Sequence, residues 1–191
     1  TNTLNNAIEK LSTGKRINYA RDDAAGQAIT SRLTAEIEGL SVASRNASDA
    51  QSLIDTADGA LKETSGLLQR LRELAVQSSN GTLTTSDRAA LQAEAAALEA
   101  EITRISDNTT WAGLELLDGS LSDGITFQAG TKAGETITTS IPDMAATAAT
   151  IAISVGFSIG TFTNAQSMIT AVDAAISGVG TVRGNLGAMS N

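Results

Sequence analysis

The chain has 191 residues, enough for one domain with a real core or for a long, thin helical body. Thirteen basic against 21 acidic residues leave a formal net charge of −8, which argues against nucleic acid or an anionic membrane surface as partner, because either needs a basic face. With no His and no Cys, the chain lacks the commonest general acid–base side chain, the two best transition-metal ligands and any disulfide; no enzyme, cofactor or metal site is expected, and packing alone must hold the fold.

Aromatic residues are 3% of the chain, while Ala is abundant, a balance that suits closely packed helices better than a thick globular core. The chain starts at Thr1 without a Met or a charged-then-apolar leader and is read as trimmed, its ends not the natural ones. A short helix is expected over about 3–12, ended by Gly14. The strongest regularity follows, over 24–79. Apolar residues fall at Ile29, Leu33, Ile37, Leu40, Ile54, Leu61, Leu68 and Leu71, with Ala43, Ala47, Ala50, Ala57 and Ala75 between and after them. From Leu40 the steps alternate three and four, interrupted only by Thr64. A period of 3.5 sustained this long means one long helix with a coiled-coil-like seam. About 56 residues at 1.5 Å each give a rod of roughly 84 Å. Its internal glycines, Gly26, Gly39, Gly59 and Gly66, each weaken it by about 1 kcal/mol against Ala, so tertiary packing must hold it.

Asn80-Gly81 reads as a helix stop. Thr85 or Ser86 then caps a second helix over about 85–107, with Leu91, Ala95, Leu98, Ile102 and Ile105 on its apolar face. The two helices most simply fold back as an antiparallel hairpin. From Trp111 the texture changes. Turn signals at Asp118-Gly119 and Asp123-Gly124 precede two alternating runs, Ile125, Phe127 and Ala129, then Ile137, Thr139 and Ile141. A turn at Gly130 to Gly134 joins them, so the spacing predicts a β-hairpin over about 124–141, closed by Pro142. Residues 144–163 carry no charge. Ile151, Ile153, Val155, Phe157 and Ile159 have period two, which favours a strand over a membrane span, and the Ser, Thr and Gly content weakens a span further. A last helix begins at Asn164, with Met168, Val172, Ala175, Val179, Val182, Leu186 and Met189 on one stripe that can pack into the groove between the first two helices.

Four irregular runs carry a family resemblance: Lys15-Arg-Ile-Asn-Tyr-Ala-Arg-Asp-Asp-Ala-Ala-Gly-Gln-Ala-Ile29; Leu68-Gln-Arg-Leu-Arg-Glu-Leu-Ala-Val-Gln77; the hairpin Ile125-Thr-Phe-Gln-Ala-Gly130 with Gly134-Glu-Thr-Ile137; and Val182-Arg-Gly-Asn-Leu-Gly-Ala188. Together they resemble bacterial flagellin over residues 1–141 and 164–191. The resemblance implies a mainly α fold: an elongated rod of long coiled-coil-like helices, an N-terminal helix pair plus a C-terminal helix, with a small β-hairpin region. It divides the chain into 1–143, the N-terminal part of the core; 144–163, a short variable insert in place of the family's large outer domain; and 164–191, the C-terminal helix completing the same core domain. The terminal helices that line the family's inner tube are mostly missing, and 1–11 resembles only the tail of the first.

The function so implied is a self-assembling structural subunit of the flagellar filament, secreted and extracellular, with other flagellin subunits as partners of the full-length protein and this fragment monomeric or weakly associated. The alternative is a cell-surface flagellin homologue acting as an adhesin or polysaccharide binder. The related hook–filament junction protein ranks below both, because Asp22-Asp-Ala-Ala-Gly-Gln looks more like flagellin. In the family, the matching surface also meets a host's toll-like flagellin receptor. Carried over by resemblance, that patch is Arg70 and Leu74 on the long helix and Glu94 on the second. Arg70 and Leu74, four apart, share a face, and an exposed Leu beside Arg is a plausible anchor for a partner.

Other motifs have plainer readings. Asp22-Asp23, beside Lys15, Arg16 and Arg21, could be an ion or interaction site, but capping of the long helix by Asp23 or its neighbour is the favoured one. Asn46-Ala-Ser48, Asn80-Gly-Thr82 and Asn108-Thr-Thr110 fit the glycosylation pattern by chance. Residues 118–123 lack the spacing and closing Glu of a Ca²⁺ loop.

Overall fold

The 3.5-residue seam, the caps and the turn glycines become, among the described residues, four helices and two small two-stranded ladders. The computed structural model describes residues 2–153 and 158–191. In chain order the elements are α1 (Asn2–Thr13), α2 (Ala24–Ser78), α3 (Thr85–Asn108), β1 (Thr110–Trp111), β2 (Leu114–Glu115), β3 (Ile125–Gln128), β4 (Thr136–Thr139) and α4 (Phe162–Ser190). The chain divides into two compact units. One comprises Thr1–Ala47 with Gln128–Thr136, the other Ser48–Phe127 with Ile137–Asn191.

In the first unit, α1 stops because Gly14 takes the left-handed conformation at φ +66°. The following loop is tied by Asp22, whose Oδ2 accepts the amides of Asn18 and Tyr19, both at 3.2 Å. Asp23 then caps α2, its Oδ1 accepting the Gly26 amide at 2.8 Å. A Cβ at Gly26 would press on Asp23 Oδ2 and lie 2.7 Å from Ile17 Cδ1, so a side chain there would displace the capping carboxylate. Residues 128–136 form the hairpin tip. It rests on α2 where Asn46 Nδ2 donates to the Gln128 carbonyl at 3.0 Å, and Gly39 leaves room for Thr131.

The second unit holds nearly all of the core among the described residues. The expected seam is buried from Ile54 through Leu61, Leu68 and Leu71 to Ala75, and Leu53 and Leu74 widen it. Thr64, the interruption in the sequence pattern, is buried too and returns its hydroxyl to the Ala60 carbonyl at 3.2 Å. Lower α2 numbers meet higher α3 numbers (Arg70 against Glu94, Ala60 and Leu67 beside Ile105), so the pair is antiparallel. The same holds for α4, where Asp173 meets Arg72 and Arg183 meets Asp58. Six of the seven residues of its predicted stripe are buried, with Met189 packed at the margin.

Several expectations are corrected. The cap of α3 is Thr84, one residue earlier than expected: its Oγ1 accepts the Asp87 amide at 3.3 Å and Asp87 Oδ2 accepts the Thr84 amide at 2.9 Å, a reciprocal box. A two-residue hairpin, Thr110 opposite Glu115 and Trp111 opposite Leu114, was not foreseen. Its turn needs positive φ at both central residues, met by Ala112 (φ 50°) and Gly113 (φ 85°); Ala in place of the usual Asn or Asp hid the signal. The strand expected around Ile151–Ile159 does not form among the described residues, and Val155 and Phe157 lie outside them. Ile151, Ile153 and Ile159 are buried by a turn-rich connection instead, in which the Ile153 amide donates to Ala146 O at 3.1 Å. No helix among the described residues is long and apolar enough to cross a membrane.

That connection presses against α4 at Gly178, where a Cβ would lie 2.8 Å from the Thr150 carbonyl oxygen. Because the neighbour is backbone, Gly178→Ala is expected to cost about 1–3 kcal/mol despite the better helix propensity of Ala. A denaturant melt checks this; a stabilised variant would contradict the contact.

Candidate partner-binding surface

Arg70 sits on α2 with its guanidinium spread between two helices. Nε and Nη2 donate to Glu94 Oε1 of α3 at 3.0 and 2.7 Å, and Nη1 donates to Glu73 Oε2 at 2.8 Å. Glu73 first, then Glu94, push the guanidinium further toward its charged form. Arg70 and Glu94 are about half exposed and Glu73 about two-thirds, so the triad is a solvated patch whose contribution to folding is small. On the other flank of α2, Arg72 Nε meets Asp173 Oδ1 of α4 at 2.6 Å.

Leu74 does not join that patch. It is 1% exposed, because α3 and α4 cover both flanks of α2 and the position four residues after Arg70 turns inward between them. The structure therefore brings Arg70 and Glu94 together at the surface and withdraws Leu74 from it.

The seam itself divides. Ile54, Leu61, Leu68 and Leu71 are buried, whereas Ile29, Leu33, Ile37 and Leu40 are open, Ile37 by 67%. The four open positions step by four, four and three, a single stripe along the helix. On α1, Leu4, Ile8 and Leu11 repeat the pattern, also exposed. Apolar residues aligned in this way form a continuous exposed stripe rather than scattered exposure. Among the described residues no group of three His, Cys, Asp or Glu is placed to hold a metal ion.

Sequence reasoning missed Arg88, which looks like an ordinary solvated charge in the first turn of α3. It is buried, with its guanidinium donating to the carbonyls of Ser78, Asn80 and Leu83. Ser78, buried as well, donates its hydroxyl to the Ile159 carbonyl, and Gln92 Oε1 accepts the Ile159 amide at 2.6 Å. Nothing in the local pattern marks these residues, because their partners are loop carbonyls and amides fixed only by the fold.

Asp58 and Arg183 pair across α2 and α4, with Arg183 Nε 2.7 Å from Asp58 Oδ1. The hydrogen bond from Arg183 is the main reason the Asp58 carboxyl is held below its ordinary range, against a smaller opposing effect of burial. A folded-state value depressed in this way stabilises above the unfolded carboxylate value, near 3.9, and is lost as pH falls through the lower folded value. Asp58→Asn is therefore expected to cost less than about 1 kcal/mol at neutral pH, given the exposure of the pair, and to flatten the loss of stability below about pH 4. Unfolding melts across that range check it; an unchanged acid limb would contradict the assignment.

The sequence and the overall fold are both similar to known proteins. The family model described as the bacterial flagellin N-terminal helical region matches residues 1–122. The B-type flagellin of Pseudomonas aeruginosa is 53% identical over 148 residues, 78% of this chain and 30% of that protein. A flagellin of Halalkalibacterium halodurans is 47% identical over 185 residues, 97% of this chain and 67% of that protein. The crystal structure of Bacillus cereus flagellin superimposes with a TM-score of 0.67 at 32% identity, covering 77% of this chain and 83% of that one. The chain thus spans about a third of the length of the Pseudomonas relative.

Proposed function

Because the chain belongs to the bacterial flagellin family, we propose that it serves as a structural subunit of the extracellular flagellar filament, secreted and built in by helix packing for motility. The open stripe Ile29, Leu33, Ile37 and Leu40 is the observation that carries this reading. It continues, along the same helix, a seam whose other half is already covered. Covering four roughly half-exposed side chains would contribute on the order of 3–6 kcal/mol to a contact between helices. Partners are then other flagellin chains, and the work done is mechanical, with no covalent step. No observation favours the sugar-binding alternative. Electron microscopy of the full-length gene product tests the reading: filaments are expected, and surface-held monomers that bind polysaccharide would overturn it.

The receptor-facing role of Arg70, Leu74 and Glu94 belongs to the same proposal, in a changed form. Arg70 and Glu94 supply the contact, and Leu74 supports it from within. Arg70→Ala is expected to weaken activation of a host's toll-like flagellin receptor while leaving the unfolding midpoint nearly unchanged. Leu74→Ala is expected to lower both, through the core. Activation indifferent to Arg70→Ala removes the patch from this role.

A further inference from the structure

Asn80-Gly81, at the turn from α2 to α3, is the chain's only Asn-Gly pair. Such pairs mark tight turns, where the glycine usually supplies a positive φ. Here it does not. Gly81 lies outside the left-handed region, and a Cβ on it would meet nothing within 4 Å. Neither conformation nor space requires a glycine at this position.

The missing side chain has a chemical consequence instead. It leaves the Gly81 nitrogen open beside the Asn80 side chain, and both residues are exposed. Asn80 Oδ1 accepts the Thr82 amide at 3.1 Å, which folds the side chain back along the backbone and turns its Cγ toward the intervening Gly81 nitrogen. Among the described residues the Gly81 amide donates to no acceptor, so no internal hydrogen bond has to break before it loses its proton.

The two oxygens that gain negative charge during such an attack are both already met by donors. When the Gly81 nitrogen loses its proton, charge spreads through the shared peptide group onto Asn80 O. That oxygen accepts Arg88 Nη2 at 3.0 Å and the Leu83 amide at 3.3 Å. When the nitrogen attacks Cγ, charge passes to Oδ1, where the Thr82 amide donates. Donors fixed in advance at developing charge lower a barrier by the physics of an oxyanion hole. Arg88 is the strongest of them, because its guanidinium is both charged and buried.

We propose that Asn80 is a self-modifying site, at which the Gly81 nitrogen attacks the Asn80 side-chain amide and Arg88 promotes the attack. Gly81 N gives its proton to solvent base and bonds to Asn80 Cγ. The Cγ–Nδ2 bond breaks and Nδ2 leaves as ammonia with a proton from water, closing a succinimide ring. Water then opens either ring carbonyl, to aspartate or isoaspartate, so each event consumes one water and releases one ammonia. Either product adds one negative charge to the turn. In isoaspartate the oxygen held by Arg88 becomes part of a free carboxylate, and one further backbone carbon separates α2 from α3.

Incubation of the full-length product, folded and unassembled, in ¹⁸O-labelled water at mildly alkaline pH tests this. Electron-transfer fragmentation of the peptide carrying Asn80 then distinguishes isoaspartate from aspartate, each with one heavy oxygen. Conversion at Asn80 is expected and should rise with hydroxide. Asn108 should stay intact, because the amide that follows it, of Thr109, is held by Ile105 O at 3.1 Å. Gly81→Ala should slow conversion about tenfold or more, since a methyl misaligns the attack. In the folded chain Arg88→Met should slow it about tenfold, the worth of one hydrogen bond to a charged group, with Arg88→Lys in between. In concentrated urea, where the turn is dismantled, the Arg88 variants should convert as fast as the parent. Conversion at Asn80 no greater than at Asn108, or unmoved by Gly81→Ala, overturns the site. A folded Arg88→Met chain that converts as fast as the parent, or faster, overturns the part assigned to Arg88.

Discussion

Replacing Leu68 by Ala is expected to lower the unfolding free energy by about 2–5 kcal/mol, while Leu40→Ala in the same helix changes it by less than about 0.5 kcal/mol. The two leucines are equivalent in the sequence, both on the 3.5-residue seam of α2. Leu68 is fully buried and belongs to the core of the second unit, so its deletion removes transfer free energy and leaves a cavity. Leu40 is 53% exposed, and its truncation leaves no void. Denaturant melts followed by circular dichroism separate the two. Equal losses would mean that the open stripe is covered in the isolated chain. In the filament the order should reverse, with Leu40→Ala impairing assembly of a chain that still folds normally.

Arg88→Met is expected to cost about 1.5–3 kcal/mol, although Met keeps most of the buried stem. The cause is the guanidinium, which answers the Ser78 carbonyl at the negative end of α2 together with the carbonyls of Asn80 and Leu83 in the turn to α3. Leu83 also donates its own amide to Asn80 O at 3.3 Å, so the turn retains some order without Arg88, and the Ser78 acceptor bears the main loss. Arg88→Lys should recover only part of the stability, since one ammonium cannot span three carbonyls as a planar fork does. Hydrogen exchange is expected to quicken at the end of α2 and in the segment around Ile159, because Ser78 and Gln92 clasp that residue from α2 and α3. Unchanged exchange at both places would show that the clasp does not depend on Arg88.

Much of this architecture was legible from periodicity and punctuation. The alternating three- and four-residue steps in α2, α3 and α4 depend only on which side chains water expels and how a helix spaces them. Gly14, Asp23 and the Gly130–Gly134 turn are local choices, set by backbone sterics and by amides within a few residues, so they too could be read directly. The alternation at Ile151, Ile153 and Ile159 was misread because it records which residues are buried and not what buries them. Thr150 presses on α4 at Gly178, and these three residues are buried without a strand among the described residues.

The sequence by itself determined that the chain is helical, that its long helix carries a continuous apolar seam, and to which family it belongs. Only the tertiary structure decided how much of that seam is covered. Ile54 to Ala75 lie beneath α3 and α4, while Ile29 to Leu40 are left open. It also drew Leu74 inward from the patch where spacing had placed it and put Arg88 inside the fold. Those outcomes depend on partners tens of residues away, and local patterning holds no record of them.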